Sequence, residues 1–376
     1  MAACSGRKWC AYPESTSACP SGQRWSAQQT GDGLSGKCLE DADLCLADPD
    51  AGIDAMPPCR TRIAFTGSGR VNGVRSNVHI VEEDGTNLVV ISQPSADEFM
   101  SDWSPDGSLI AFTSNPASNS DVYVMDPTDA TSEINLTESE ELEFSPIFSP
   151  AGDYLVYESR PVSGDLSTNL FRVAPAGGAT VALAMAAGRS EVSPSFSFDG
   201  TRIAYEDNFD EDDSTIITMS PLGLNKEPLR TGHTPTWSPT EDRLVFTVGI
   251  NPSDLHVSQN GGPAENLTNT LAPLESSPVF SPTGDRIAFL EFNTTTQMLA
   301  LRVMDSNGTN AVTLSEGPAG NTPNNPSWSP DGAQLVFDQG GVLMKATPPA
   351  TATQFLSSEF DDIRQVNPEW SPCLPN

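Results

Sequence analysis

Four glutamates share one position of a repeated phrase, and a fold that superposes the repeats must bring them to equivalent places. Glu98, Glu143, Glu191 and Glu275 each lie five residues before the aromatic residue that opens the phrase, and the other three copies carry Gly232, Pro323 and Gln365 there. The next position holds Phe99, Phe144, Val192, His233, Ser276, Asn324 and Val366. Carboxylates gathered around an axis repel unless a cation or a basic side chain sits among them, and hard oxygen ligands suit calcium. Calcium or a cationic peptide is therefore the ligand expected of Glu98, Glu143, Glu191, His233, Glu275 and Gln365. The same residues suggest a second chemistry, in which two facing glutamates serve as a paired acid and base. No G-x-S-x-G elbow is present to supply a nucleophile.

The phrase that orders these residues is WSPDG in variant spellings. It opens at Trp103, Phe148, Phe196, Trp237, Phe280, Trp328 and Trp370, at intervals of 41 to 48 residues. An apolar triplet follows each of the first six, at Ile110, Leu155, Ile203, Leu244, Ile287 and Leu335. Asp-Gly turns of this kind join antiparallel strands, because both residues tolerate positive φ. A third apolar run, such as DVYVM from Asp121, and a weaker fourth, such as INLT from Ile134, complete a four-stranded unit. Units of this length cannot bury their faces alone, and the period predicts the blades of an all-β propeller. An unpartnered RIAF at Arg62 and a strandless WSP at Trp370 are complementary deficits. Together they predict seven blades, the seventh shared between the chain ends and leaving no open sheet edge.

The cysteines lead to the same arrangement. Cys59 lies four residues before Ile63, and Cys373 directly follows Pro372, so both occupy the turn column where the chain is interrupted. The expectation is a Cys59–Cys373 disulfide across that turn; closing so long a loop stabilises by about 5 kcal/mol on the chain-entropy model. Residues 1–47 form a cysteine-rich, disulfide-stapled head, 48–58 a Pro-, Gly- and Asp-rich linker, and 59–376 the propeller. Cys4 in MAAC is a lipidation candidate; with it set aside, Cys10, Cys19, Cys38 and Cys45 make two pairs of open connectivity. Disulfide-forming cysteines indicate an extracytoplasmic setting: periplasmic, secreted or a cell-surface lipoprotein.

Lys and Arg total 19 against 50 acidic residues, for a formal net charge of −31. Such a balance excludes nucleic acid as a partner. The acidity belongs to the repeats, where 15 basic residues face 42 acidic ones. The run Glu206 to Asp213 reads as a solvated acidic loop. No apolar run is long enough to span a membrane, so membrane contact would come only through a lipid on Cys4.

Spelled P-x-W-S-P-D-G-x-x-I-A-F and followed by V-Y-V-M-D and L-T strands, the repeats resemble those of the TolB-like propellers over residues 60–376. That resemblance implies the propeller fold and a choice of roles: envelope scaffolds that bind other proteins, gates of prolyl oligopeptidase-like enzymes, or metal-dependent lyases. The expected function is a monomeric, non-catalytic extracytoplasmic scaffold for an envelope protein or peptide. The alternative is a metal-dependent lyase or hydrolase acting on an anionic glycan or small ester at the channel mouth; the resemblance to the propeller lyases implies a transition metal there on His233 and Gln365 with Glu191 and Glu275, a set poor in neutral nitrogen donors. If the innermost strands run away from that mouth, the loops between second and third strands return to it, and the WSPDG turns lie on the opposite face.

Overall fold

The computed structural model describes residues 60–373, except 70–74, 93–95, 117–118, 209–213, 251, 271–272 and 357–362, together with the backbone of four short strands before residue 26. The chain divides into two units, Met1–Pro58 and Cys59–Asn376. In the first, Ala2–Cys4 pairs with Arg7–Trp9 and Ala11–Pro13 with Gln23–Trp25. The linker, Cys10, Cys19, Cys38, Cys45, Cys59 and the side chain of Cys4 lie outside the described residues.

The second unit is a β-propeller of seven four-stranded antiparallel sheets. The innermost strands of blades 1 to 6 are Asp97–Trp103, Leu142–Phe148, Ser190–Phe196, His233–Trp237, Leu274–Phe280 and Pro323–Trp328. Blade 7 takes Ile363–Trp370 as its innermost strand and continues through Arg62–Gly69, Ser76–Glu82 and Val89–Val90. Trp370 stands opposite Ile63, the Ser371 amide donates to the Arg62 carbonyl at 2.8 Å, and the Arg62 amide donates to Ser371 Oγ at 2.9 Å.

Each WSPDG phrase ends one strand and turns into the next. In blade 1 the Gly107 amide bonds the Ser104 carbonyl at 2.8 Å with Gly107 at φ 70°, while Asp106 Oδ1 accepts the Ser104 and Ser108 hydroxyls. The positive φ is what selects glycine at this corner. Blade 4 spells the turn WSPTE and closes it without glycine, the Ser238 amide bonding the Arg243 carbonyl at 2.8 Å.

The core is divided among the seams between blades. Ala64, Val78 and Ile80 of blade 7 cluster with Trp103, Ile110 and Phe112 of blade 1. Val336 and Leu343 of blade 6 cluster with Ile63, Phe65 and Trp370 of blade 7. The five intervening seams are built alike. Burial of both faces of every blade is the main stabilising term, at roughly 25 cal/mol for each Å² of apolar surface removed from water.

Candidate functional site

The glutamate column lies inside the seams. Glu98, Glu143, Glu191, Glu275 and Gln365 are 1–3 % exposed. Glu275 Oε2 accepts the Leu255 amide at 3.0 Å, and Gln365 Oε1 accepts the Leu343 amide at 2.9 Å, both amides belonging to the preceding blade's third strand. The main chain of the column makes a second tie: the amides of Glu143, Glu191, Gly232, Glu275 and Gln365 donate to Ser120, Thr168, Ser214, Ser253 and Gly341 carbonyls at 2.8–3.1 Å. Burial pushes the carboxyls of Glu98, Glu143 and Glu191 up to about 7, and that of Glu275 upward. The column therefore sits buried at the blade seams and ties neighbouring blades together. Among the described residues no three His, Cys, Asp or Glu side chains gather as a metal-holding group. The set His233, Gln365, Glu191 and Glu275 comes from four different blades, and of these His233 and Glu275 line one cavity.

Two residues further along, the innermost strands carry a feature that the sequence reading passed over. Ser145, Ser193, Thr234, Ser277, Asn325 and Asn367 adopt φ between 48° and 54°, each precedes a proline, and each sits where the register with the second strand slips. These are β-bulges repeated around the axis. Proline lacks the N–H that a bulge leaves unpaired, which explains the Ser/Thr/Asn-Pro spelling. Blade 1 spells this stretch Met100-Ser101 and lacks the positive φ.

The bulge amides are capped from the preceding blade by the residue that follows the apolar triplet. Thr66 Oγ1 accepts the Met100 amide at 2.8 Å, Glu158 Oε1 the Ser193 amide at 2.9 Å, Glu206 Oε2 the Thr234 amide at 3.0 Å, and Asp338 Oδ1 the Asn367 amide at 3.3 Å. Glu206 and Asp207, expected in a solvated loop, are instead buried in the strand Ile203–Asn208. Residues 209–213 of that run lie outside the described residues.

Glu206 also binds His233, with His233 Nδ1 2.9 Å from Glu206 Oε1, and accepts the Ser214 hydroxyl at 2.7 Å. The Glu206 hydrogen bond raises the His233 pKa above its ordinary value against the effect of burial. Burial pushes the Glu206 carboxyl up, but the donors from His233, Ser214 and Thr234 outweigh it and hold the group below its usual range. His233 lines a cavity of about 300 Å³ with Asn208, Thr234, Thr247, Ile250, Glu275 and Ser276, so residues from blades 3, 4 and 5 meet there. Of the expected mouth residues, His233 and Glu275 come together in this cavity; Glu98, Glu143, Glu191 and Gln365 remain in other seams. Exposed apolar side chains stand on the same face, Ile250 at the cavity rim and Phe99 in blade 1. The other histidines stack within blades, His79 on Phe65 and His256 against Phe246.

A second cavity, about 340 Å³, is lined by Met100, Ser101, Ser145, Pro146, Asn325, Pro326, Asn367, Pro368 and Glu369, bulge-region residues of blades 1, 2, 6 and 7. Beside it stand Asp102 and Glu369, the residues before Trp103 and Trp370. Burial pushes Asp102 up to about 7 and Glu369 up to about 8, the Asp102 charge adding to the latter. The sequence signal for this pair was available: the column reads Asp102, Ile147, Ser195, Thr236, Val279, Ser327, Glu369, with acids only in the two blades that flank the terminal seam.

Residues 58–208 match the TolB beta propeller domain family. No curated protein matches the chain. Among solved structures, TolB from Acinetobacter baumannii is similar at 16 % identity and a TM-score of 0.55, over 83 % of this chain and 66 % of that one. An oligogalacturonate lyase in complex with manganese is similar at 15 % identity and a TM-score of 0.57, over 78 % of this chain and 84 % of that one. A Mycobacterium tuberculosis puromycin-hydrolyzing peptidase is similar at 15 % identity and a TM-score of 0.58, over 80 % of this chain and 54 % of that one. The chain thus spans about two thirds of the TolB structure and about half of the peptidase. At these identities the likeness speaks for the fold alone. The match over residues 58–208 gives that stretch the likeness of the TolB beta propeller domain, and the seven four-stranded blades give the whole ring the β-propeller fold.

Proposed function

We propose that the protein is a non-catalytic extracytoplasmic scaffold that takes a protein or peptide partner on the face bearing the His233 cavity. The observation that carries this reading is the cavity itself, which joins a carboxylate-held imidazole, hydroxyl and amide groups and an exposed isoleucine from three blades. Mixed apolar and polar surface of this kind suits a peptide contact. The lyase reading finds less support, because of its expected ligands two alone, His233 and Glu275, line one cavity. An oxidising compartment is supported by Cys373, which is disulfide-bonded. Cys59 is the proposed partner, since Trp370 pairs with Ile63, and in the sequence Cys373 follows the first by three residues and Cys59 precedes the second by four. Peptide mapping without reduction should return a Cys59–Cys373 crosslink, and a different partner for Cys373 would refute the assignment.

The functional reading is tested by capturing envelope proteins on immobilised protein. A His233→Ala, Ile250→Ser variant should lose the partner, and Phe198→Ala, on the opposite turn face, should keep it. Equal capture by all three would reject this face. Stoichiometric manganese after chelator-free purification would favour the lyase instead.

A further inference from the structure

Taking the His233 face as the partner's, as proposed above, we infer that its cavity receives a carboxylate of the partner peptide, with His233 Nε2 as donor and Ile250 supporting the apolar side chain beside it. His233 Nδ1 stands 2.9 Å from Glu206 Oε1, and Glu206 takes two further donors, the Ser214 hydroxyl on Oε1 at 2.7 Å and the Thr234 amide on Oε2 at 3.0 Å. A carboxyl group that accepts three donors acts as an anion, so Nδ1 carries a proton and donates it. Nε2 is then the polar atom of the ring left for a ligand, and it has no hydrogen-bond partner among the described residues. A proton on Nε2 makes it a charged donor, and the bond to Glu206 favours that proton.

The acid that lines the cavity is committed to the protein's own donors. Glu275 Oε2 accepts the Leu255 amide at 3.0 Å and the Thr268 hydroxyl, and Oε1 accepts the Thr270 hydroxyl at 3.3 Å. Thr234 and Thr247 bond each other at 3.2 Å. Beside His233 Nε2, the Ser276 hydroxyl has no side-chain partner among the described residues, so the lining offers donors to an incoming acceptor. Asn208, whose Nδ2 lies 3.5 Å from Glu206 Oε1, keeps its oxygen for the N–H of a peptide group. The charged groups on the elements packed around His233 are engaged elsewhere: Asp207 pairs with Arg189, Glu158 accepts the Ser193 amide at 2.9 Å, and Asp254 accepts the Asn266 side chain at 2.8 Å and the Thr270 amide at 2.9 Å. Glu191 is buried opposite Asp207, and Arg230, three residues before His233, is exposed and acts on His256. A volume of about 300 Å³ is at the small end of ligand pockets and suits one side chain or one chain end, with Ile250 exposed at the rim.

Imidazole NMR of the full chain tests this with N-acetyl-leucine and N-acetyl-leucinamide, which differ in the carboxylate alone. The acid should move the His233 resonance and raise its pKa. Its affinity should fall about tenfold from pH 6 to pH 8 as the ring loses its proton, the worth of one charge-assisted hydrogen bond, while the amide should bind weakly at both. In Glu206→Gln the fall should move to lower pH, and His233→Gln should bind acid and amide alike. The α-amide of N-acetyl-glutamate separates the two sources of a carboxylate: a response matching N-acetyl-leucine assigns an acidic side chain of the partner, and a weaker one assigns its chain end. Equal binding of N-acetyl-leucine and its amide by the wild type, or a His233 resonance unmoved by the acid, would overturn the carboxylate assignment. Loss of the captured partner in His233→Ala, Ile250→Ser would in that case still support this face as the scaffold's, so the two readings fail separately.

Discussion

His233 behaves as the charged member of a pair because Glu206 is more strongly held as an anion than its burial alone would allow. The geometry makes a sharp prediction. In Glu206→Gln, the amide oxygen can still accept the Thr234 amide, but the carboxylate that favours imidazolium is gone, and burial then drives the His233 pKa below its ordinary value. Imidazole NMR titration should show a fall of about one unit or more; an unmoved titration would dissociate the two groups. The raised folded pKa also fixes a sign: the stabilisation from His233 is complete below its unfolded value of 6.5 and is lost as pH rises through the folded value. Only half of this pair was legible in the sequence. His233 stood out as the imidazole in the mouth column, whereas Glu206 was absorbed into an acidic run. Its role depends on a cross-blade contact with the Thr234 amide, and spacing within one repeat does not report which neighbour a strand-end residue reaches.

Strands and turns were the most legible level, since the WSPDG corner and the triplet announce themselves by composition. The glutamate column was legible as a column but not in direction: a repeated acid before an innermost strand could face the channel or the preceding blade, and the buried third-strand amides decide for the blade. Two predictions follow from that placement. Gln365→Ala leaves the buried Leu343 amide without its acceptor and should cost about 1–3 kcal/mol by denaturant melts, whereas Gln365→Glu, the residue used in four other blades, should cost less. The bulges give a change in the other direction. Thr234 is the β-branched residue among the positive-φ positions of the innermost strands, at φ 48°, where blades 6 and 7 use asparagine. Thr234→Asn should stabilise by about 0.5–1 kcal/mol, because asparagine visits the left-handed region at lower cost. A loss of stability would mean that the Thr234–Thr247 hydroxyl contact at 3.2 Å outweighs the strain.

At the scale of the molecule, blade number was read from the period and the complementary chain ends, because each blade needs a neighbour on both faces and a shared terminal sheet leaves neither end exposed. The consequence of burying so many acids was not readable, since composition places the charge of −31 in the ring but does not say which carboxylates lie in seams. Glu98, Glu143, Glu158 and Glu191 are pushed up to about 7 by burial, with Asp102 near 7 and Glu369 near 8. A folded-state pKa above the unfolded one means that the native ring binds more protons than the unfolded chain between the ordinary carboxylate range and about pH 8, so stability falls as pH rises through that window. At the acid end the order reverses. The turn aspartates Asp106, Asp199, Asp285 and Asp331 are held below their usual range despite some burial, by hydroxyl and amide donors within their turns, so the stability they add is lost as pH falls below the normal aspartate value. The two trends place the stability maximum at about pH 5. Thermal melts should therefore show Tm rising from pH 8 to pH 5 and dropping below pH 4, and a combined Glu98→Gln, Glu191→Gln variant should flatten the upper limb while leaving the acid limb intact. A Tm that is constant or increasing from pH 5 to pH 8 would show that these carboxyls ionise in the seams at no cost, which would require water or cations to enter between the blades.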